Sequence, residues 1–235
     1  MLIHSPFPPE LTFVFRALEA GEDAGLATRL TPEERGLLDP RATPKRVADF
    51  ALGRDCGREA LRRLGVWREG APSPSILRKE RMPVWPPGFV GSLAHSRGAA
   101  AAVVGPASRY RGLGVDVERL DRDASAAMRR TLRPDEREAL AHRGPALAML
   151  WFCVKESIFK ALYPATGMYL GFQDARVRAP SVWPDLSRAG AGTLEWELLK
   201  ASGDGFPVGM RGAAGWRAEP PWLVAGVWVP AGAEG

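Results

Sequence analysis

The chain has 235 residues, with 32 Lys and Arg against 27 Asp and Glu, a formal charge of +5 when the histidines are neutral. With 46% apolar and 25% charged residues it can bury a sizeable core, which excludes intrinsic disorder as its main state. No run approaches the length of an apolar membrane span, and the opening MLIHSPFPPE has neither the basic nor the apolar segment of a secretory leader. A cytoplasmic protein is therefore expected. Cys56 and Cys153 lie far apart without a CxxC partner, so neither a disulfide framework nor a zinc knuckle is indicated. The basic residues are interleaved with acids rather than gathered in a tail. That suits an acidic partner or a polyphosphate ligand better than a nucleic acid.

Along the chain, residues 11–15 read as a strand, and Thr31-Pro32-Glu33-Glu34 carries the cap, the proline and the acids of a helix start. A helix is predicted over 44–65, where Arg54, Arg58 and Arg62 follow at i, i+4 spacing as one basic ridge. Residues 89–93 form a short strand, and 99–104 with 112–118 are expected to pair as a hairpin. Helices follow over 124–143 and 145–163, the second stopped by Pro164. Strands are predicted at 171–177, 193–199 and 222–229. No internal repeat appears. The mixture implies an α/β or α+β protein in two similar lobes, 1–110 and 111–235, packed as one unit.

In Leu113-Gly114-Val115-Asp116-Val117-Glu118 the apolar residues share one strand face, and Asp116 and Glu118 share the other. Carboxylates at i and i+2 are about 7 Å apart, close enough to reach one hard cation if a third ligand faces them, although a solvated acidic strand reads the same way. On the last predicted helix, Lys155, Glu156 and Lys160 interrupt apolar stripes that leave little face for water. Glu156 and Lys160 can be an i, i+4 ion pair. Alternatively Glu156 is the third carboxylate of a metal site and both lysines face phosphate oxygens. Upstream, the run 91–98 turns through small polar residues and can present His95, Ser96 and backbone N–H groups to an anion; there is no GxSxG elbow for acyl transfer.

In this order, Ser92-Leu93-Ala94-His95-Ser96, Gly114-Val115-Asp116-Val117-Glu118 and Trp151-Phe152-Cys153-Val154-Lys155-Glu156-Ser157-Ile158-Phe159-Lys160 resemble the three motifs of 4'-phosphopantetheinyl transferases, the last two matching GxDxE and WxxKExxxK. Residues 45–56 and 82–92 extend the resemblance to the enterobactin-type members of the larger, surfactin-type class. The resemblance implies two pseudo-symmetric α/β lobes with the active site between them, in a monomer. It implies transfer of the 4'-phosphopantetheine arm of coenzyme A to a serine of an acidic apo carrier protein, releasing 3',5'-ADP, in siderophore, nonribosomal peptide or polyketide synthesis. Mg²⁺ or Mn²⁺ would be held by Asp116, Glu118 and Glu156, with Glu156 as general base and Lys160 beside it. Arg46, Arg54, Ser92, His95, Lys155 and Lys160 would contact coenzyme A. The stretch 120–140, with Met128, Arg129, Arg130, Leu132 and Arg133, would meet the carrier. A metal-dependent pyrophosphate hydrolase and a non-catalytic coenzyme A binder are the alternatives.

Overall fold

The computed structural model describes residues 3–19, 22–68, 70–71, 74–80, 82–123 and 125–232. The chain runs through β1 (Thr12–Ala17), a 3-10 helix (Glu22–Arg29), α1 (Pro32–Arg35), α2 (Pro44–Arg63), the short ribbon β2 (Arg78–Lys79) and β3 (Met82–Pro83), then β4 (Phe89–Ser96) and β5 (Ala99–Pro106). It continues through β6 (Tyr110–Arg119), α3 (Ser125–Thr131), α4 (Pro134–Leu140), α5 (Pro145–Thr166), β7 (Ala175–Val177), β8 (Gly190–Leu198), β9 (Arg211–Glu219) and β10 (Trp222–Pro230). One sheet has the order β1-β5-β4 and the other β6-β10-β9-β8-β7. A common figure appears in both: a strand, a long helix, and a hairpin whose second arm pairs antiparallel with that first strand, β1 on β5 and β6 on β10.

Strand alternation then builds the layers. Val14, Ala100, Ala102 and Val104 point to α2, whereas Phe13, Ala101 and Val103 meet Leu113, Val115 and Val117 of the second sheet. On β10, Trp222 and Val224 join that central layer, while Leu223, Ala225 and Val227 pack beneath α5. The order α2, sheet, sheet, α5 thus buries apolar faces in three successive layers, and burial of this kind is the main stabilising term.

The mixed α/β class agrees with the sequence, and several elements differ from it. The expected pairing of 99–104 with 112–118 does not form, because both edges of β5 are already taken, by β1 and by β4. The hairpin is instead β4–β5, turned by Arg97 and Gly98 at φ 45° and 86°, the left-handed pair that a two-residue turn requires. The helix expected over 124–143, whose first residue lies outside the described residues, divides into α3 and α4. Pro134 has no N–H for the preceding turn, and the Glu136 carboxylate accepts the Arg133 N–H at 2.8 Å to start α4 afresh. Pro164 does not stop α5, which ends three residues later where Gly167 adopts φ 64° and its N–H bonds to the Tyr163 carbonyl at 2.8 Å. β9 has no counterpart in the sequence reading.

The arginine row of α2 is not one ridge. Arg62 lies exposed against Glu59, whereas Arg58 is buried and donates to both oxygens of Glu34, at 2.8 and 2.7 Å. Glu34, 0% exposed, also accepts the N–H groups of Thr31 (3.1 Å) and Ile76 (2.9 Å), so it ties α1, α2 and the strand approach together. Glu34→Ala strands Arg58 without its partner and is expected to lower unfolding free energy in urea by about 3 kcal/mol. A loss below about 1 kcal/mol, the size of a surface pair, would contradict this account.

Candidate active site

The site begins with the absence of two side chains. A Cβ on Gly112 would lie 2.1 Å from the Ala161 carbonyl oxygen, and one on Gly114 would lie 1.9 Å from that of Ser157. Glycine at both positions lets the backbone of β6 rest directly on the backbone of α5. Asp116, next on the same strand face, is thereby brought to Lys160, whose Nζ donates to Asp116 Oδ1 at 2.7 Å and to the Val115 carbonyl at 3.1 Å. Glu118 follows on that face and accepts from Ser96 Oγ at 2.8 Å and Arg122 Nη1 at 2.9 Å. Glu156 sits one turn before Lys160 and lines a cavity of about 180 Å³ with Phe159, Tyr169, Leu170 and Phe172.

Asp116, Glu156 and Lys160 feel one another's charge in a mostly buried setting. Burial pushes Asp116 up against the pull of Lys160, and burial together with the Asp116 charge pushes Glu156 up. Burial opposes the charge on Lys160, but Asp116 and Glu156 outweigh it and hold the ammonium above its ordinary range. Among the described residues no ion pair joins Glu156 to Lys160, which turns to Asp116 instead. Nor, among the described residues, do three His, Cys, Asp or Glu side chains stand together as a ready metal-binding group. The donor set nevertheless fits a hard divalent cation: all three carboxylates offer oxygens, and Asp116 Oδ2 is buried with no hydrogen-bond partner.

On β4 the alternation divides the His motif. His95 and Leu93 face α2, whereas Ser92, Ala94 and Ser96 face the second sheet. Arg46 Nη1 and His95 Nε2 are 3.2 Å apart; burial, reinforced by the Arg46 charge, lowers the His95 pKa, so its ring is neutral and Nε2 accepts. Arg46 lines a cavity of about 290 Å³ with Phe50, Arg41 and Arg78. Arg54 donates from Nε to the Ile76 carbonyl at 2.8 Å and lies 4.1 Å over the Phe50 ring; burial lowers its pKa to about 10. Arg46 and Arg78 are close enough to add to that lowering, so the guanidinium groups form one positive field.

The structure therefore gathers Arg46, Arg54 and His95 on one side, and Asp116, Glu118, Glu156 and Lys160 on the other. It turns two expected residues elsewhere. Ser92 is buried and its Oγ accepts the Val115 N–H at 3.2 Å, pinning β4 to β6. Lys155 is buried against Glu136 at 2.6 Å. Sequence reasoning missed Arg41, the aromatic wall of the Glu156 cavity, and Ser96 as the partner of Glu118. Only Ser96 left a signal, since it shares strand parity with Ser92. Ser92→Ala is expected to lower unfolding free energy in urea by about 1 kcal/mol, because it loses one buried hydrogen bond. An unchanged urea midpoint would show that this bond does not hold β4 to β6.

Residues 33–105 match the 4'-phosphopantetheinyl transferase N-terminal domain, and residues 112–211 match the 4'-phosphopantetheinyl transferase superfamily. The 4'-phosphopantetheinyl transferase Npt of Nocardia iowensis is 36% identical over 171 residues, 72% of this chain and 74% of that protein. The chain belongs to the 4'-phosphopantetheinyl transferase superfamily. Svp of Streptomyces mobaraensis, another 4'-phosphopantetheinyl transferase, is 39% identical over 72% of this chain and 66% of its own length. Enterobactin synthase component D of Salmonella typhi is 34% identical over 57% of this chain and 55% of that protein. The similarity thus spans just under two thirds of Svp and about half of the enterobactin component. The superfamily match covers β6, α5 and the carboxylate cluster, and the N-terminal match covers α2 and the His95 strand.

Proposed function

We propose that this superfamily member transfers the 4'-phosphopantetheine arm of coenzyme A to a serine hydroxyl of an acidic apo carrier protein and releases 3',5'-ADP. The observation that carries this reading is the junction of β4 with β6. Consecutive residues of β4 serve both sides there: His95 meets Arg46 of the positive cavity, and Ser96 meets Glu118 of the carboxylate cluster. A substrate with phosphates at both ends of its nucleotide portion needs two such neighbouring regions. The division into units 1–110 and 111–235 puts one region in each.

The roles follow from the chemistry of the groups. Arg46 and Arg54 offer forked donors to a terminal phosphate, with neutral His95 holding Arg46 in place. Asp116, Glu118 and Glu156 would hold Mg²⁺ or Mn²⁺, which when bound neutralises charge on pyrophosphate oxygens. Lys160 favours the ionised form of Asp116 against the cost of burial and stays beside the departing oxyanion. Glu156, with raised proton affinity and a cavity before it, is suited to take the serine proton. Arg129 and Arg130 are exposed on α3, whereas Met128 and Leu132 are buried beneath them, so the arginines alone are assigned to an acidic carrier.

The similarity to enterobactin synthase component D supports service to siderophore or related assembly lines; the enzyme is read as a cytoplasmic monomer. The test is the stoichiometry of nucleotide release. The reading expects one 3',5'-ADP per carrier serine and none from a carrier whose serine is alanine. Nucleotide released at the same rate without carrier would establish the pyrophosphate hydrolase instead.

A further inference from the structure

Lys155 immediately precedes Glu156 on α5, and the structure gives its ammonium no donor to spare. Nζ donates to Glu136 Oε2 at 2.6 Å, to the Thr131 carbonyl at 3.1 Å and to the Phe172 carbonyl at 2.7 Å, which uses every N–H of an ammonium. Lys155 is 3% exposed and Glu136 also 3%. Glu136 is equally committed: Oε1 accepts the Val177 N–H at 2.9 Å, and Oε2 accepts the Arg133 N–H at 2.8 Å as well as Lys155. One buried pair therefore joins the end of α3, the start of α4, β7, and the segment 169–172.

That segment is the wall of the cavity onto which Glu156 opens. Its neighbour Gln173 is held from the same side, through Nε2 to the Arg130 carbonyl at 3.0 Å and through its own carbonyl, which accepts from Arg133 Nη1 at 2.7 Å. Burial lowers the Lys155 pKa and Glu136 opposes that lowering, so the pair costs desolvation to keep. A buried ion pair of this kind is weak evidence for stability, since apolar replacements often hold a fold as well; what such a pair supplies is a fixed position for its hydrogen-bonded partners.

We infer that Glu136 and Lys155 are positioning residues that fix the wall 169–172 at the distance from Glu156 that the substrate requires. Lys155 accordingly acts through the Phe172 carbonyl and not on phosphate. The inference rests on the transferase reading for its kinetics, but not for its structural consequence.

The decisive variant is the double replacement Glu136→Gln with Lys155→Met, which removes both charges and leaves neither stranded. Its melting temperature is expected within about 5 °C of the parent. Amide exchange at 169–172 is expected to quicken at least about tenfold. KM for coenzyme A is expected to rise about tenfold while kcat falls less than about threefold, the split of a displaced wall rather than a lost catalytic group. If the double variant does not fold, Lys155→Arg keeps the ion pair but cannot reproduce both carbonyl bonds, and the same exchange and KM changes are expected of it. Unchanged exchange at 169–172 and unchanged KM in either folded variant would overturn the inference and leave the pair a purely structural tie. If the parent labels no carrier, the transferase reading fails by itself, and amide exchange still decides the positioning role.

Discussion

Gly114→Ala is expected to lower folding stability by about 3 kcal/mol or more and to abolish turnover. The added carbon would meet the Ser157 carbonyl oxygen at 1.9 Å and the Ala161 nitrogen at 2.8 Å. These are backbone atoms of a helix, so no rotamer change relieves the collision; strand and helix must separate. That separation pulls Asp116 from Lys160 and opens the carboxylate cluster. Ser157 Oγ also lies 3.1 Å from the Ala225 carbonyl on the neighbouring strand β10, a second contact that the shift would stretch. Urea unfolding and carrier labelling check the prediction together. A variant as stable and as active as the parent would show that β6 and α5 do not make the close contact on which the site depends.

Glu156→Gln is expected to reduce turnover about a thousandfold while leaving the protein at least as stable at neutral pH. Burial and the Asp116 charge raise the Glu156 pKa, so the folded protein holds this proton more tightly than the unfolded chain does. The stability contributed by that proton is fully present below the ordinary value of 4.5 and is lost as pH rises through the raised one. At neutral pH the Glu156 carboxyl is therefore a burden that glutamine lacks, and the advantage of the variant should vanish as pH falls to 4.5 and below. Melting curves from pH 4 to 8 with paired rate measurements decide the matter. A variant less stable at neutral pH would mean that Glu156 holds the fold, and one with near-parent turnover would remove it from the chemistry.

What the sequence made legible was whatever depends on local order. The alternation of Gly114, Asp116 and Glu118 put two carboxylates on one strand face, and the apolar stripes of 145–163 made three charges conspicuous, because such charges need partners when buried. The identity of those partners was not legible. Lys160 serves Asp116 across 44 positions although Glu156 stands at i−4 as a local partner, and Lys155 serves Glu136 across 19 with no acid three or four places away to suggest any partner. The divided face of β4 is a middle case. The motif grouped Ser92 with His95, but the strand runs past its apolar stretch to Ser96, and alternation along it sets the two on opposite faces. Sheet membership was the least legible feature, since it depends on which edges other strands leave open.

On this reading the carboxylate cluster moves a phosphopantetheine arm onto a carrier serine with the help of a divalent cation. The deciding measurement is the intact mass of an apo carrier protein incubated with this enzyme, coenzyme A and Mg²⁺. A gain of about 340 Da, the mass of the transferred arm, is expected, absent with EDTA and absent with Glu156→Gln. An unchanged carrier mass while coenzyme A is bound intact, or a gain that survives EDTA, would overturn the reading.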